Sequence, residues 1–306
     1  MMKTVPMNPR RMKPLLVKPL LVKPLLVKPL LMKPLLMKTV LAGALMAATL
    51  VASGPVEAAS ISPAGATLTP GQLTVGVSLP SEGFEVGVAR GAHVIYARGF
   101  DIDLALAIAK RIDLPRVQFV QSLFGNLVSP GKKPWDMAVA QITITTARSH
   151  NVSFTQPYMT VDQGVLVAKT VSPVPTSLAG LRSLQLCALR GSTGATVAAT
   201  RIAPQKPLVV PDNVPTLMQD LQIGSCQAVV YDAPTLGALK ALAPTYYGTF
   251  VGLIPTGEQY GIALPKGSPL LSRVNAALGA LKADGTVQRL EQQWFTADLA
   301  NVPVLH

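Results

Sequence analysis

Two cysteines, three histidines and fifteen acidic residues are few for a chain of 306 residues. His93, His150 and His306 lie far apart and in no metal-ligand spacing, and Cys187 and Cys226 form no C-x-x-C. The sequence therefore offers neither a histidine metal site nor a dithiol redox motif. There is no G-x-x-x-x-G-K-[ST] and no G-x-G-x-x-G to cradle a nucleotide, and no serine stands in G-x-S-x-G. Hydrolase, kinase and metalloenzyme readings are left without a motif, and no cofactor is expected.

What the chain does have is positive charge, +12 in all. Its location decides its meaning. Nine of the 27 Lys/Arg stand in residues 1–58, against the single acid Glu57. Beyond Ala58 the net charge is about +4, spread without the interleaving of basic and aromatic residues that nucleic-acid surfaces use. Nucleic acid is not an expected partner.

Residues 13–37 repeat KPLLV three times and KPLLM twice. Proline at every fifth position forbids a regular helix, and apolar runs of three cannot span a bilayer. Then comes "MKTVLAGALMAATLVASGPVEAAS": a short basic start at Met37-Lys38, an apolar stretch from Thr39 to Ser53, and Val56-Glu57-Ala58 with small residues where cleavage requires them. The expectation is a signal peptide over 37–58, cut near Ala58, with residues 1–36 a translated upstream extension or a long basic leader. No cysteine follows the cut, so a lipid anchor is not indicated.

From Leu73 onward, β-branched runs alternate with helical periodicity. "LTVGVSL" (73–79), "RVQFVQ" and "WDMAVAQITIT" read as strands, and "DIDLALAIAKRI" reads as a helix with Asp101 as its N-cap. The pattern restarts at "SLQLCAL" and runs through "STGATVAATRI", "PLVV", "VPTLMQDL", "CQAVVYD" and "PTLGALKAL". Two such runs predict two α/β lobes with parallel-type sheets: 59–168, 169–257, and a return of 258–306 to the first lobe. "GVLVAK" (164–169) would be the first crossing, and two helices divided by Asp284-Gly285 close the chain. The glycine-rich stretch 80–99 reads as an irregular loop.

Five segments, in order, resemble the bacterial extracellular solute-binding proteins of family 3, the polar amino-acid receptors of ABC importers. They are "GFDIDLALAIAKRI" (99–112), "DMAVAQITITTARSHNVSFTQPYM" (136–159), "LCALRGSTGATV" (186–197), "DLQIGSCQAVVYDAPTL" (220–236) and "EQYGIALPKGSPLLSRVNAALGALKADGT" (258–286). The resemblance implies a two-lobed clamshell of the type II periplasmic binding-protein kind, monomeric and periplasmic, that closes on an amino acid and delivers it to an ABC permease. It assigns Arg148 and Thr143 to the ligand carboxylate, helped by the turn at Ser192 and Thr193, and Asp232 to the ligand ammonium. Arginine's planar fork suits a carboxylate, and the sequence places no acid nearer to Arg148 than Asp136 and Asp162. Alternatives stay open at each position: a solvated or structural arginine, an Asp232 that caps a helix, and a Ser192-Thr193 pair that does the same.

Departures from the family pattern concern specificity. Phe84 is a candidate stacking aromatic, or a core residue. Ser78 stands where receptors for basic amino acids often carry an acid. Gln141 replaces a small residue and either intrudes on the pocket or bonds to the ligand. Cys187 and Cys226 fall on adjacent strands of lobe two, to be bridged in an exported protein or left as buried thiols. Two other functions fit the same resemblance: a cyclohexadienyl (prephenate or arogenate) dehydratase, which needs an acid in the cleft, and a ligand-binding module for a membrane sensor. Fold does not choose among them.

Overall fold

A computed structural model describes residues 65–306 apart from Asp298; the repeat and the expected signal peptide lie outside the described residues. The chain opens with β1 (Leu73–Val77), β2 (Val86–Arg90), β3 (His93–Arg98), α1 (Phe100–Arg111), β4 (Val117–Gln121), α2 (Phe124–Val128), β5 (Met137–Ala138), the single turn α3 (Thr146–Ser149) and β6 (Val152–Phe154). β7 (Met159–Val167) crosses to α4 (Leu178–Leu181), β8 (Leu186–Cys187), α5 (Thr193–Val197) with a π-helical turn at Ala198–Ile202, α6 (Val214–Ile223), β9 (Ala228–Asp232) and α7 (Ala233–Leu242). β10 (Thr249–Tyr260) returns, followed by β11 (Ala263–Pro265), α8 (Leu271–Ala283) and α9 (Thr286–Trp294).

Two sheets result, in the strand orders β2-β3-β4-β1-β5-β11-β6 and β10-β7-β9-β8. Their parallel parts are β4-β1-β5 in one and β8-β9 in the other; every other pairing is antiparallel. All five residues of β1 are buried, as a strand covered on both faces requires. Gly76 is needed there because a Cβ would stand 2.7 Å from Trp135 Cδ1. α1 turns Ile102, Ala105, Ile108 and Ala109 inward, and α8 and α9 pack against it, so the last helices complete lobe one.

Five local expectations change. Residues 80–99 are not an irregular loop throughout; β2 and β3 form an antiparallel hairpin at the sheet edge. Gly99, not Asp101, is the N-cap of α1, and Asp101 turns into the core. "PLVV" contributes a single bridge, Val209 to Cys187, rather than a strand. The crossing is longer than expected: β7 pairs with β10 from Met159↔Tyr260 to Val167↔Thr249. Cys187 and Cys226 form a disulfide with Cα atoms 5.8 Å apart; Cys187 is on β8, and Cys226 lies just before β9 rather than on it.

Candidate functional site

The cleft between the lobes gathers residues from α2, α3, β7, α5, β9, α7 and β10. Arg148 is carried by α3, whose N-cap Thr145 accepts from the Arg148 N–H. The residue is 7% exposed, and its guanidinium carbon lies 5.0 Å from the centre of the Phe124 ring. Nη1 donates to the Thr143 carbonyl at 2.7 Å, and Nη2 reaches across the cleft to the Gly191 carbonyl at 3.0 Å. Neither acid that is near in sequence serves it. Asp136 accepts the backbone N–H groups of Leu68 and Thr74, and Asp162 accepts those of Thr256 and Gly257. Burial lowers the Arg148 pKa, while the charges of Asp232 and Glu258 act to keep it protonated.

Opposite stands the turn before α5. Ser192 caps that helix, its Oγ accepting from the Ala195 N–H at 3.1 Å. The capping role that the sequence left open is therefore real. The Thr193 hydroxyl instead faces the Thr143 hydroxyl across the cleft at 3.4 Å. Gly194 lets α5 approach the crossing strand, since a Cβ there would meet Gln163 Oε1 at 2.7 Å. Asp232 sits at the N-cap of α7 but makes no side-chain cap bond. Its buried carboxylate accepts from Gln163 Nε2 at 2.5 Å and Tyr260 Oη at 2.6 Å. Burial, and next the charge of Glu258, raise its pKa to about 6.

Gln141 holds a left-handed backbone at φ 52°, with its N–H on the buried Asp101 carboxylate at 2.9 Å. From there its side chain ties the lobes directly: Nε2 donates to Ser81 Oγ at 2.6 Å, and Oε1 accepts from Thr235 Oγ1 on α7 at 2.8 Å. Its side chain lines the closed cleft. Phe84 is not brought to the cleft. It is fully buried in an aromatic cluster with Phe100, Tyr260 and Phe295, because the turn that carries it is hydrogen-bonded to the start of α1 through the Gly83 and Phe84 carbonyls. The cleft is closed: Phe124, Gln141, Thr143, Tyr231 and Asp232 help to line a void of about 10 Å³, the least that holds one water. A groove of about 790 Å³ opens beside it, lined in part by Arg148, Thr193 and Glu258.

Sequence reasoning missed Ser81, Gln163, Thr235, Glu258 and Tyr260. Glu258 and Tyr260 lie within a quoted segment, but no residue type or spacing announces their partners. Gln163 and Glu258 meet only through the pairing of β7 with β10.

The titrations carry opposite consequences for stability and binding. Burial raises Asp101 to about 7 and Glu85 well above the carboxylate range, alongside Asp232. Folded pKa values above the unfolded ones mean that the native state holds protons the unfolded chain has released. The stabilisation is full below about pH 4 and is lost as pH rises through about 6 to 7. The ligand-free protein is expected to gain several kcal/mol between pH 7 and pH 4 from these groups, at about 1.4 kcal/mol per unit by which a pKa is raised. Urea unfolding across that range checks it.

The chain matches the family described as bacterial extracellular solute-binding proteins, family 3, over residues 73–297. It is 31% identical over 213 residues to ABC transporter arginine-binding protein 1 of Escherichia coli, spanning 64% of this chain and 81% of that protein. It is 28% identical over 242 residues to the histidine-binding periplasmic protein of Salmonella typhimurium, spanning 75% and 90%. Among solved structures, an ancestral arginine-binding protein bound to arginine is similar at 32% identity and TM-score 0.64, covering 74% of this chain and 98% of that one. An ancestral amino acid-binding protein that is a precursor of cyclohexadienyl dehydratase is similar at 31% identity and TM-score 0.64, with 74% and 96% covered.

Proposed function

Because the chain belongs to family 3 of the bacterial extracellular solute-binding proteins, we propose that its cleft grips the α-amino acid moiety of a small ligand. The chain is a solute receptor of an ABC importer and not an enzyme, in keeping with relatives that are binding proteins. In this reading Arg148 and the Thr143 hydroxyl take the ligand carboxylate from lobe one. Thr193 and the capped turn at Ser192 take it from lobe two, where free N–H groups open the helix. Asp232 takes the ammonium, and Gln141 sits where the ligand side chain begins. Phe84 has no contact role.

One observation carries the reading. Arg148 is a buried cation whose hydrogen bonds in the closed cleft are both to neutral carbonyls, one in each lobe. A charge so placed is only partly compensated, and a carboxylate would complete it. A zwitterion held between Arg148 and Asp232 favours the closed state by binding it better than the open one. Proteins similar to this chain are named for arginine, histidine and glutamine, whose common part is the α-amino acid group. The finer assignments are a monomer, free of nucleic acid and cofactor, exported to the periplasm with its leader cut near Ala58.

The test is calorimetric titration of protein stripped of metabolites by unfolding and refolding, with the common amino acids, prephenate and arogenate. Saturable binding of one or a few amino acids is expected. Binding of the cyclohexadienyl acids alone, or turnover of either, would overturn the reading. Affinity should fall as pH drops below about 6, because Asp232 must lose its proton to pair with an ammonium. The limiting slope is about tenfold per pH unit, and titrations at pH 5 and pH 7.5 measure it.

A further inference from the structure

The carboxylate of Glu258 lies where the proposed reading puts the carboxylate of the ligand. Its Oε2 accepts from Thr143 Oγ1 at 2.7 Å and from Thr193 Oγ1 at 2.5 Å, one hydroxyl from each lobe. Its Oε1 accepts from Gln163 Nε2 at 3.1 Å. The same nitrogen donates to Asp232, so one amide separates the two cleft carboxylates. All three donors to Glu258 are side-chain groups of the cleft.

A second feature, in the backbone, puts Glu258 there. β7 and β10 slip register once between Phe250 and Gly252, and again after Ile254↔Gln163, where pairing resumes only at Glu258↔Val161. Residues 255–257 stand against the single residue Asp162, with Gly257 at φ 58°. Asp162 pins this bulge, its Oδ1 accepting the N–H groups of Thr256 and Gly257 at 2.8 and 2.9 Å. Bulges re-aim side chains, and this one lies at the crossing between lobes beside the cleft. Among the described residues, Arg148 makes no ion pair with Glu258, so the contact is through the hydroxyls and the open groove remains at its side.

We infer that Glu258 is an internal counter-ligand: without solute, its carboxylate occupies the hydroxyl donors of Thr143 and Thr193, holds the lobes together, and must be displaced by the carboxylate of the incoming amino acid. This inference rests on the proposed amino-acid reading. It makes Glu258 an affinity-setting residue. The self-closed form is not competent to bind, so the apparent dissociation constant is the intrinsic one divided by the fraction of open protein. Gln141 and its bonds to Ser81 and Thr235 add to the closed form but take no carboxylate donor.

The experiment compares wild type with Glu258→Ala and Glu258→Gln, all stripped by unfolding and refolding. Glu258 lies on the rim and is half-buried, so both variants should fold; the isosteric glutamine safeguards the comparison. Small-angle scattering without ligand should show a larger radius of gyration in both variants than in wild type. Titration with L-arginine, L-glutamine and L-histidine should show the best binder held roughly tenfold more tightly by Glu258→Ala, the loss of one charge-assisted hydrogen bond. Glu258→Gln should fall between. Superimposable ligand-free scattering curves overturn the inference, as does a measurable affinity that stays level or weakens. If no amino acid binds any of the three, the receptor reading fails, and the scattering comparison alone decides whether Glu258 closes the cleft.

Discussion

Arg148→Ala is expected to weaken amino-acid binding roughly 100- to 5,000-fold, the equivalent of the 3–5 kcal/mol that follows when one partner of a buried charge pair is removed. The substitution also strands the Thr143 and Gly191 carbonyls, which lose their donors. The native stability of the variant must therefore be measured beside its affinity. Arg148→Lys separates the two roles. It keeps the charge but cannot supply two directed donors to the lobes and a planar pair to a carboxylate at once, so it should recover only part of the loss. A change below tenfold in a folded Arg148→Ala protein would remove Arg148 from the site.

Opening the Cys187–Cys226 link is expected to cost about 4 kcal/mol, the loop-closure value for a separation of 39 residues. The bond ties the edge strand β8 to the start of β9, its parallel neighbour in the second sheet, and both cysteines are fully buried. The replacement of both by alanine avoids burying hydroxyls, and should lower Tm by roughly 8–16 °C at this size. Urea unfolding of the double variant measures the loss. A difference under about 1 kcal/mol would mean that the unfolded chain is already restricted there. Thiol titration of the denatured wild type without reductant should find no reactive sulfur.

Binding and stability then respond differently to pH. Acidification protonates Asp232 and removes the partner of the ammonium, while the ligand-free fold gains from burying neutral carboxyls. A receptor that grows more stable yet binds less below about pH 6 is the expected signature of a buried ligand-pairing acid.

Much of this was legible in the chain. Apolar runs of four or five and 3.6-residue periodicity reveal β1, α1, α6, β9, α7 and α8, because burial of one face is written in residue spacing. Arg148 stood out as a cation with no near acid. Asp232 stood out as an acid after a buried strand. Other features depend on partners distant in sequence. The sequence left Phe84 between a ligand-stacking ring and a core residue, and it is core, because its partners Phe100, Tyr260 and Phe295 come from separate parts of the chain. Asp101 looked like a cap and is instead the acceptor for Gln141 and Tyr158. Gln141 joins two lobes through a residue 94 positions away.

By itself the sequence determined the alternation of strands and helices, the division into two lobes and the residue types able to hold a zwitterion, since all three follow from local periodicity and side-chain chemistry. Only the tertiary structure decided which of those groups meet. The register of β7 against β10, broken by three residues at 255–257, sets Glu258 between Thr143 and Thr193, and hydrogen bonding at 2.5 to 3.1 Å depends on that register rather than on any nearby residue.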